Sequence, residues 1–456
     1  INAADKVRKM KKHWNGNFLY YFGGIILSLF LCVGLVHMVS GGYEAETGKK
    51  AVSKKEETKE KKTPEEQKGK EEQEQPVIRV LLKTGGYTDE VHPNVAVSAG
   101  GGLLLEGAGG KREAKEGETV TIAPDDPLFE GGTIRVKTKK EGDKITISSL
   151  KRGYGVPSYR GELELFSTAQ GIAVINELPL EEYLYAVVPS EMPASYEEEA
   201  LKAQAVCARS YAYCHMEGQA YPEYKANVDD STAYQVYGNS AEQEKTIAAV
   251  DATMGEKLKY HDTVVKAYYF STSCGRTTNV EAWGTKVSDA NSYLKGTRVE
   301  ENGTCYEKDL PWFSWSCDIP VETVSNLFGL NTGQDVGTIS QIEITKRGEG
   351  DVALEMKVTG SKGSAAIRTE NKIRSALGGN GYKIQKQDGT EAASAKLLPS
   401  AFFTVEKRGE SFHIKGGGYG HGIGMSQNGA NEMAKKGKDY ITILGMFYDG
   451  VEITAD

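Results

Sequence analysis

The sequence predicts an α+β fold, with a β-rich N-terminal exported domain, a mixed helix and strand catalytic region, and one transmembrane helix before both. Over residues 77–178, short runs rich in Val, Ile, Thr and Leu alternate with Gly, Asp and Pro turns. Beyond residue 179, helical segments mix with further strands without the regular strand–helix alternation that builds a parallel sheet. The chain has 53 glycines and 13 prolines, a balance that favours turns and sheets.

Residues 18–39 form an apolar run without a formal charge, long enough to cross a bilayer. Basic residues cluster in the segment 1–17 that precedes it. Since positive residues stay on the cytoplasmic side, residues 1–17 are predicted to be a cytoplasmic tail and the rest extracytoplasmic. A cleaved signal peptide is the alternative, but the run is long for one and no small-x-small cleavage site follows. The expected location is the cell membrane, with a single pass.

Residues 40–76 are predicted to be a charged, disordered linker. Between residues 49 and 75 almost every residue is Lys, Glu or Gln, so the segment cannot bury apolar surface. The formal net charge of the whole chain is −8, which argues against nucleic acid as a partner. Two folded regions are expected after the linker, a β-rich domain over 77–178 and a catalytic α+β region over 179–456.

Glu191 is the strongest candidate for a chemical role. It lies in the sequence Pro-Ser-Glu-Met-Pro, ahead of a segment with strong helical character. An apolar and stiff setting raises the pKa of a carboxyl group, as a general acid requires. The alternative is a solvated glutamate that favours the N-terminus of the helix that follows.

Lys202 and Arg209 are seven residues apart on that helix and therefore share one face. Both are predicted to assist catalysis, by orienting the acid or holding a substrate oxygen. The alternative is an ordinary helix surface on which Lys202 pairs with Glu198, four residues earlier.

Two polar segments are predicted to bind substrate. The first is a glycine-rich loop over residues 416–424 that leads into a helix and includes His421, followed by Ser426 and Gln427. It is not a dinucleotide fingerprint, because no βαβ unit surrounds it. The second is a run of hydroxyl residues that contains Ser271 and Ser273, which could equally be a turn at the end of a strand.

The cysteine pattern favours neither a metal nor a cofactor. Five of the six cysteines lie outside the apolar run, and no Cys-x-x-Cys or His-x-x-x-His spacing occurs. Cys207 and Cys214 lie too far apart along one helix to pair. The sequence leaves open whether two of Cys274, Cys305 and Cys317 form a disulfide, and whether a cysteine lies close to His215 or His261.

Five ordered sequence blocks together resemble the stage II sporulation protein D family. They cover residues 176–212, 231–238, 267–284, 292–296 and 416–451. The resemblance implies a membrane-anchored enzyme that acts on septal peptidoglycan during forespore engulfment. It is similar to lytic transglycosylases, which cut the MurNAc–GlcNAc bond of glycan strands already stripped of stem peptides. The implied location is the septal or engulfing membrane of the mother cell.

The resemblance also assigns roles to single residues. The catalytic glutamate of the family falls on Glu191 and its basic pair on Lys202 and Arg209. A substrate-binding block falls on Tyr293 and Lys295, and the glycine-rich substrate loop on the residues 421–427. The sequence departs from the family at residues 273–275, which are Ser-Cys-Gly instead of Ser-Gly-Gly, and at residue 292, which is Ser instead of Pro. The implied partners are an amidase or endopeptidase of the stage II sporulation protein P type and a scaffold of the M type.

A transglycosylase of this kind needs one carboxyl group, which donates to the glycosidic oxygen while the MurNAc C6 hydroxyl attacks C1. Three alternatives stay open. The chain could be a non-catalytic, peptidoglycan-binding amidase enhancer, or a structural anchor for a partner amidase. It could also be a hydrolase that uses a second carboxylate.

Overall fold

The computed structural model describes residues 75–455. The predicted basic tail, the predicted transmembrane helix and nearly all of the predicted linker therefore lie outside the described residues. Within residues 75–455, every helix is too short or too polar to cross a membrane. The segment Val77–Asp456 forms one compact unit.

Within residues 75–455, eleven short strands precede the first described helix. They are β1 Val77–Leu81, β2 Val91–His92, β3 Val95–Ser98, β4 Leu103–Gly107, β5 Gly110–Ala114, β6 Val120–Ile122, β7 Thr133–Thr138, β8 Ile145–Ile147, β9 Ser158–Tyr159, β10 Glu162–Thr168 and β11 Gly171–Pro179. Buried residues alternate along several of them, as in β7 and β10. This period of two places one apolar face of each strand in the core and leaves the other near solvent.

Two sheets are built from these strands. One has the order β6-β3-β8-β9, and the other contains β1-β11-β10-β7-β4-β5, with β2 also paired to β11. The larger sheet is extended by β12 Val228–Asp229, which pairs in parallel with β1. A strand from the C-terminal half of the chain thus completes a sheet of the N-terminal half.

Seven α-helices lie in the rest of the described chain. They are α1 Leu180–Glu191, α2 Glu198–Met216, α3 Glu244–Ala252, α4 Val321–Thr332, α5 Glu370–Leu377, α6 Gln427–Lys435 and α7 Tyr440–Phe447. The α+β class predicted from the sequence is confirmed.

Helix α2 lies at the centre of the region after residue 179 and packs against α1, α3, α6 and α7. Its buried side chains are mostly small, including Ala200, Ala203, Ala205, Ala208 and Ala212. Small side chains allow neighbouring helices to approach closely, so this one helix can pack against four others.

The remaining strands form small sheets. They are β13 Glu256–Tyr260, β14 Thr263–Val264, β15 Tyr269–Phe270, β16 Glu300–Glu301, β17 Thr304–Cys305, β18 Trp315–Pro320, β19 Ile339–Arg347, β20 Ala353–Gly360, β21 Gly363–Arg368, β22 Lys383–Lys386, β23 Glu391–Ala393, β24 Phe403–Arg408, β25 Ser411–Gly416, β26 Met425–Ser426 and β27 Glu452–Ala455. The parallel pair β15 and β26 joins the hydroxyl-rich segment to the glycine-rich loop.

Candidate functional site

Glu191 is the last residue of helix α1, not a residue of the N-terminal turn of the next helix. The residue as a whole is half-buried, and its carboxylate accepts a hydrogen bond from the Val236 N–H at 2.6 Å and another from the Tyr269 hydroxyl. Burial raises the pKa of Glu191 to about 7, although the two hydrogen bonds act in the opposite direction. The negative end of the helix dipole also disfavours a second negative charge there. The predicted raised pKa is therefore present, with a cause in the fold.

A chain of buried hydrogen bonds holds Tyr269 in position. The Tyr183 hydroxyl donates to Gln235 Oε1 at 3.3 Å, and Gln235 Nε2 donates to the Tyr269 hydroxyl oxygen at 3.1 Å. Since that oxygen accepts from Gln235, its proton is available for the Glu191 carboxylate. Tyr183 and Gln235 are both almost completely buried, so the chain is shielded from water.

Gln427 also reaches Glu191, through the backbone. Its Nε2 donates to the Glu191 carbonyl oxygen at 3.0 Å and to Gln204 Oε1 at 3.3 Å. The carbonyl groups in the last turn of a helix have no partner inside the helix. Gln427, predicted as a substrate contact, therefore supports the end of α1 that carries the acid.

Lys202 and Arg209 both pair with carboxylates other than Glu191. Lys202 Nζ lies 2.7 Å from Glu198 and 2.8 Å from Glu199, so the spacing-based alternative is the pairing observed. Arg209 is buried and donates to both carboxylate oxygens of Glu181, each at 2.7 Å. Neither basic residue is among the causes of the shifted pKa of Glu191. Their predicted role beside the acid finds no contact in this structure.

Ser273 and Ser426 face a carboxyl group that the sequence analysis missed. Both serines are fully buried, and both hydroxyls donate to Glu307, from Ser426 at 2.7 Å. The Ser273 N–H donates to the same carboxylate at 2.9 Å. Burial raises the pKa of Glu307 to about 7. These two predicted substrate contacts are thus occupied inside the protein, where they tie β15 to β26.

His421 is likewise engaged within the protein. Its Nε2–H donates to the Tyr269 carbonyl oxygen at 3.0 Å, and its Nδ1 accepts from the Ile423 N–H at 3.1 Å. Burial lowers the pKa of His421 to about 4, so the ring is neutral at pH 7. The imidazole fixes the glycine-rich loop against the strand that carries Tyr269.

The glycines of that loop are explained by packing. Gly424 has φ 74°, and a Cβ atom there would lie 2.0 Å from the Tyr268 carbonyl oxygen. Gly422 has φ 83°, and its Cβ atom would lie 2.4 Å from the Phe402 ring. No larger side chain fits at these positions, because the loop lies directly on its neighbours.

The other predicted substrate contacts are placed differently. The Ser271 carbonyl accepts from the Asn428 N–H at 2.9 Å, and the Ser271 hydroxyl contacts its neighbour in the chain. Tyr293 is buried and donates to the Lys266 carbonyl at 3.0 Å. Lys295 is exposed, with its Nζ 3.9 Å from the Asp449 carboxylate. Of this group, Lys295 has the side chain most open to solvent.

The five described cysteines are all free thiols. The disulfide left open by the sequence is therefore absent from residues 75–455. Cys207 is buried with its sulfur 3.3 Å from the Tyr448 hydroxyl, and burial raises its thiol pKa to about 12. A thiol with such a pKa is unreactive at neutral pH and acts as a packing residue.

Comparison with known proteins places the chain in a family. A family model described as "Stage II sporulation protein" matches residues 168–260, which include Glu191. A stage II sporulation protein D of Bacillus subtilis (strain 168) is 30% identical over 334 residues, which is 69% of this chain and 86% of the relative. This chain belongs to the stage II sporulation protein D family. The resemblance seen in the five sequence blocks is confirmed.

Other relatives extend the comparison. The stage II sporulation protein D of Bacillus amyloliquefaciens is 32% identical over 295 residues, 61% of this chain and 75% of the relative. A protein named "Amidase enhancer" from Bacillus subtilis (strain 168) is 29% identical over 300 residues, 60% of this chain and 40% of the relative. A second family model, described as a domain of unknown function, matches residues 298–424 and includes Glu307.

Proposed function

We propose that this protein is a membrane-anchored lytic transglycosylase that cleaves the MurNAc–GlcNAc bond of denuded peptidoglycan glycan strands during sporulation. Its products are 1,6-anhydro sugars. The observation that carries the proposal is Glu191, a half-buried residue whose carboxyl group has a pKa raised to about 7 and is held by a hydrogen-bond chain. A general acid works best when its pKa lies near the operating pH.

The surroundings of Glu191 favour a mechanism with a single carboxyl group. A second carboxylate close by would itself raise the pKa, as in the paired acids of glycoside hydrolases. Among residues 75–455, the causes of the shift at Glu191 are burial, Val236 and Tyr269, and they include no carboxylate. A single acid suffices when the nucleophile belongs to the substrate.

The proposed reaction uses Glu191 twice. Protonated Glu191 donates to the bridging glycosidic oxygen while the C1–O bond of MurNAc breaks, and the GlcNAc hydroxyl leaves. The resulting carboxylate then accepts the proton of the MurNAc C6 hydroxyl as the bond from O6 to C1 forms. Glu191 ends protonated, so no cofactor or metal enters the balance. The internal nucleophile is already held near C1, which replaces an activated water.

Tyr269 takes the role that the sequence analysis gave to Lys202 or Arg209. Its hydroxyl donates to the Glu191 carboxylate and so stabilises the ionised form that exists between the two proton transfers. A neutral donor lowers the pKa less than a nearby cation would. A tyrosine donor in place of a cation therefore leaves Glu191 protonated near neutral pH and still stabilises the ionised intermediate.

The location and partners of the protein are part of the proposal. The apolar run over residues 18–39, with basic residues before it, supports a single-pass anchor in the engulfing membrane of the mother cell. We infer that the extracytoplasmic part works beside an amidase or endopeptidase of the stage II sporulation protein P type and a scaffold of the M type. An amidase must remove the stem peptides to supply denuded strands.

A second candidate function follows from the relative named "Amidase enhancer". In that case the chain would bind glycan and stimulate a partner amidase without breaking a glycosidic bond. The two functions differ in what the purified chain does alone.

The deciding experiment incubates the purified full chain with denuded glycan strands and with peptide-bearing strands, and identifies products by mass spectrometry. The expected result is 1,6-anhydro ends on denuded strands without any partner. Products with reducing ends would identify a hydrolase with a second carboxylate. No cleavage, together with faster release of stem peptides by an added amidase, would identify an enhancer.

A further inference from the structure

A row of aromatic rings lies beside Glu191. Its members are Tyr234, His215, Tyr211, Tyr268 and Trp283, in that order, and we call them the aromatic row. Successive ring centroids are 5.3, 4.6, 5.8 and 4.7 Å apart. These separations are those of rings in direct contact. The residues come from α2, from the segment after β12, and from the two sides of β15, so the fold assembles the row from distant parts of the chain.

Every member of the row is half-buried. The hydroxyl groups of Tyr211, Tyr234 and Tyr268 make no hydrogen bond with any residue in 75–455, and none of the three oxygens is enclosed. Trp283 is fixed instead, since its Nε1 donates to Glu370 at 3.2 Å. Half-buried tyrosines with free hydroxyls present both an apolar face and a hydrogen-bonding edge to a ligand.

The aromatic row lies close to Glu191, since Tyr234 comes two residues before Val236, whose N–H donates to the Glu191 carboxylate. Tyr268 precedes Tyr269, whose hydroxyl contacts the Glu191 carboxylate. Burial, chiefly, raises the pKa of Tyr211, and the charge of Glu191 contributes to that shift, which agrees with the two contacts. A ligand that lies along the row would therefore pass the acid.

The row carries no charge, but a cation lies beside it. Burial, and then the Lys266 ammonium, lower the pKa of His215 to about 4, so its ring is neutral at pH 7. Lys266 is half-buried and forms no ion pair with the carboxylates of residues 75–455. The His215 Nε2 atom is buried without a hydrogen-bond partner in the same part of the chain. An uncharged aromatic surface beside one unpaired cation suits a ligand that is mostly neutral with an occasional negative charge.

We propose that the aromatic row binds the sugar rings of the glycan strand that Glu191 cleaves, and that Lys266 binds the lactyl carboxylate of a MurNAc residue. This inference rests on the proposed function and names the groups that recognise its substrate. The C–H faces of pyranose rings pack against aromatic rings, and sugar hydroxyls bond to tyrosine hydroxyls. In a strand without stem peptides, the lactyl group is the charged group that recurs along the chain.

The test measures binding separately from cleavage. The full chain carrying Glu191→Gln is titrated calorimetrically with two probes, chitotetraose and a denuded GlcNAc–MurNAc tetrasaccharide. We expect Tyr234→Ala and Tyr268→Ala to weaken both probes about tenfold each, the range expected for loss of an aromatic contact. Tyr154→Ala, at a tyrosine exposed by 41% in the N-terminal half, is the matched control and should bind both probes normally.

Lys266→Met sharpens the test. It should weaken the MurNAc-containing probe about tenfold, as expected for a charge-assisted hydrogen bond, and leave chitotetraose unchanged. Tyr268→Phe removes only the hydroxyl group and keeps the ring packed, so it separates loss of the hydroxyl from misfolding. Thermal unfolding checks that each variant is folded. Unchanged affinity for both probes in folded Tyr234→Ala and Tyr268→Ala overturns the aromatic row. Equal losses for both probes in Lys266→Met overturn the carboxylate contact.

The two proposals fail in different ways. If the wild-type chain makes no anhydro product but the row variants still weaken binding, the proposed function fails and the binding site stands. If anhydro product forms and the row variants bind both probes normally, the aromatic row is refuted while the enzyme stands.

Discussion

Glu191 and Glu307 are both glutamates whose carboxyl pKa is raised to about 7 by burial, yet they lie in different settings. Glu191 ends a helix, is half-buried and has the aromatic row beside it. Glu307 is completely buried, with both oxygens occupied by donors from Ser273 and Ser426. Part of Glu191 is open to solvent, whereas Glu307 contacts only other residues of the protein.

This difference separates two uses of the same physical effect. Burial disfavours the charged form of any carboxyl group, whatever its function. In the proposed mechanism, the result at Glu191 is an acid that keeps its proton until a sugar receives it. At Glu307 the result is a cross-link between the strand β15, the start of helix α6 and the loop around residue 307. A raised pKa therefore identifies a general acid only where the carboxyl group is also accessible to a substrate.

The largest effect on stability is expected from Glu307→Ala. Removing this carboxyl group leaves two buried hydroxyl donors, Ser273 and Ser426, without their acceptor, while the Ser273 N–H keeps the Ser426 hydroxyl oxygen at 3.2 Å. We expect the free energy of unfolding to fall by about 3 kcal/mol, since each unsatisfied buried group costs about 1–3 kcal/mol. Urea unfolding followed by circular dichroism measures this.

Glu191→Ala is the matched comparison for stability. It leaves two donors, the Val236 N–H and the Tyr269 hydroxyl, one fewer than donate to Glu307, and Glu191 as a residue is only half-buried. We expect a loss of about 1 kcal/mol or less. Equal losses in the two alanine variants would show that Glu307 is no more structural than Glu191.

A smaller effect, on pH dependence, is expected from Tyr269→Phe. The hydroxyl favours ionised Glu191, so its removal raises the pKa of the carboxyl group further. Because the acid must be protonated, the rate of anhydro product formation should fall as the pH rises through about 7 in the wild type, and at a higher pH in the variant. The plateau rate should drop about tenfold, because the ionised intermediate loses a donor.

Tyr185→Phe is the control for this pH profile. The Tyr185 hydroxyl donates to Asp251 at 2.6 Å, and its removal should leave the descending limb where it is in the wild type. A limb that stays in place in Tyr269→Phe as well would remove Tyr269 from the account of the acid.

Much of the fold was predictable from the sequence. Short runs rich in Val, Ile, Thr and Leu between turn residues predicted the N-terminal strands, and the segment of strong helical character after Glu191 is present as α2. The Pro-Ser-Glu-Met-Pro setting predicted a raised pKa at Glu191, with the correct physical cause. These features depend on local sequence, so a single chain contains the information.

The contacts around the acid were not predictable in the same way. Val236 and Tyr269 contact the Glu191 carboxylate only because β15 and the segment around residue 236 fold against the end of α1. Ser273 and Ser426 have the composition of a sugar-binding wall, but the pairing of β15 with β26 turns both toward Glu307. Nothing near Glu307 in the sequence distinguishes it from a surface glutamate. The direction in which a side chain points is set by long-range packing, and residue type alone does not predict it.

The most direct test compares Glu191→Gln with Glu307→Gln in one assay, the rate of 1,6-anhydro product formation by the purified full chain on denuded glycan. Glu191→Gln should lower the rate about a thousandfold, within the range for loss of a general acid. Glu307→Gln, which keeps the buried side chain nearly the same size, should stay within about tenfold of the wild type. Anhydro product at the wild-type rate from Glu191→Gln, or equal losses in the two variants, would contradict the assignment of Glu191 as the acid.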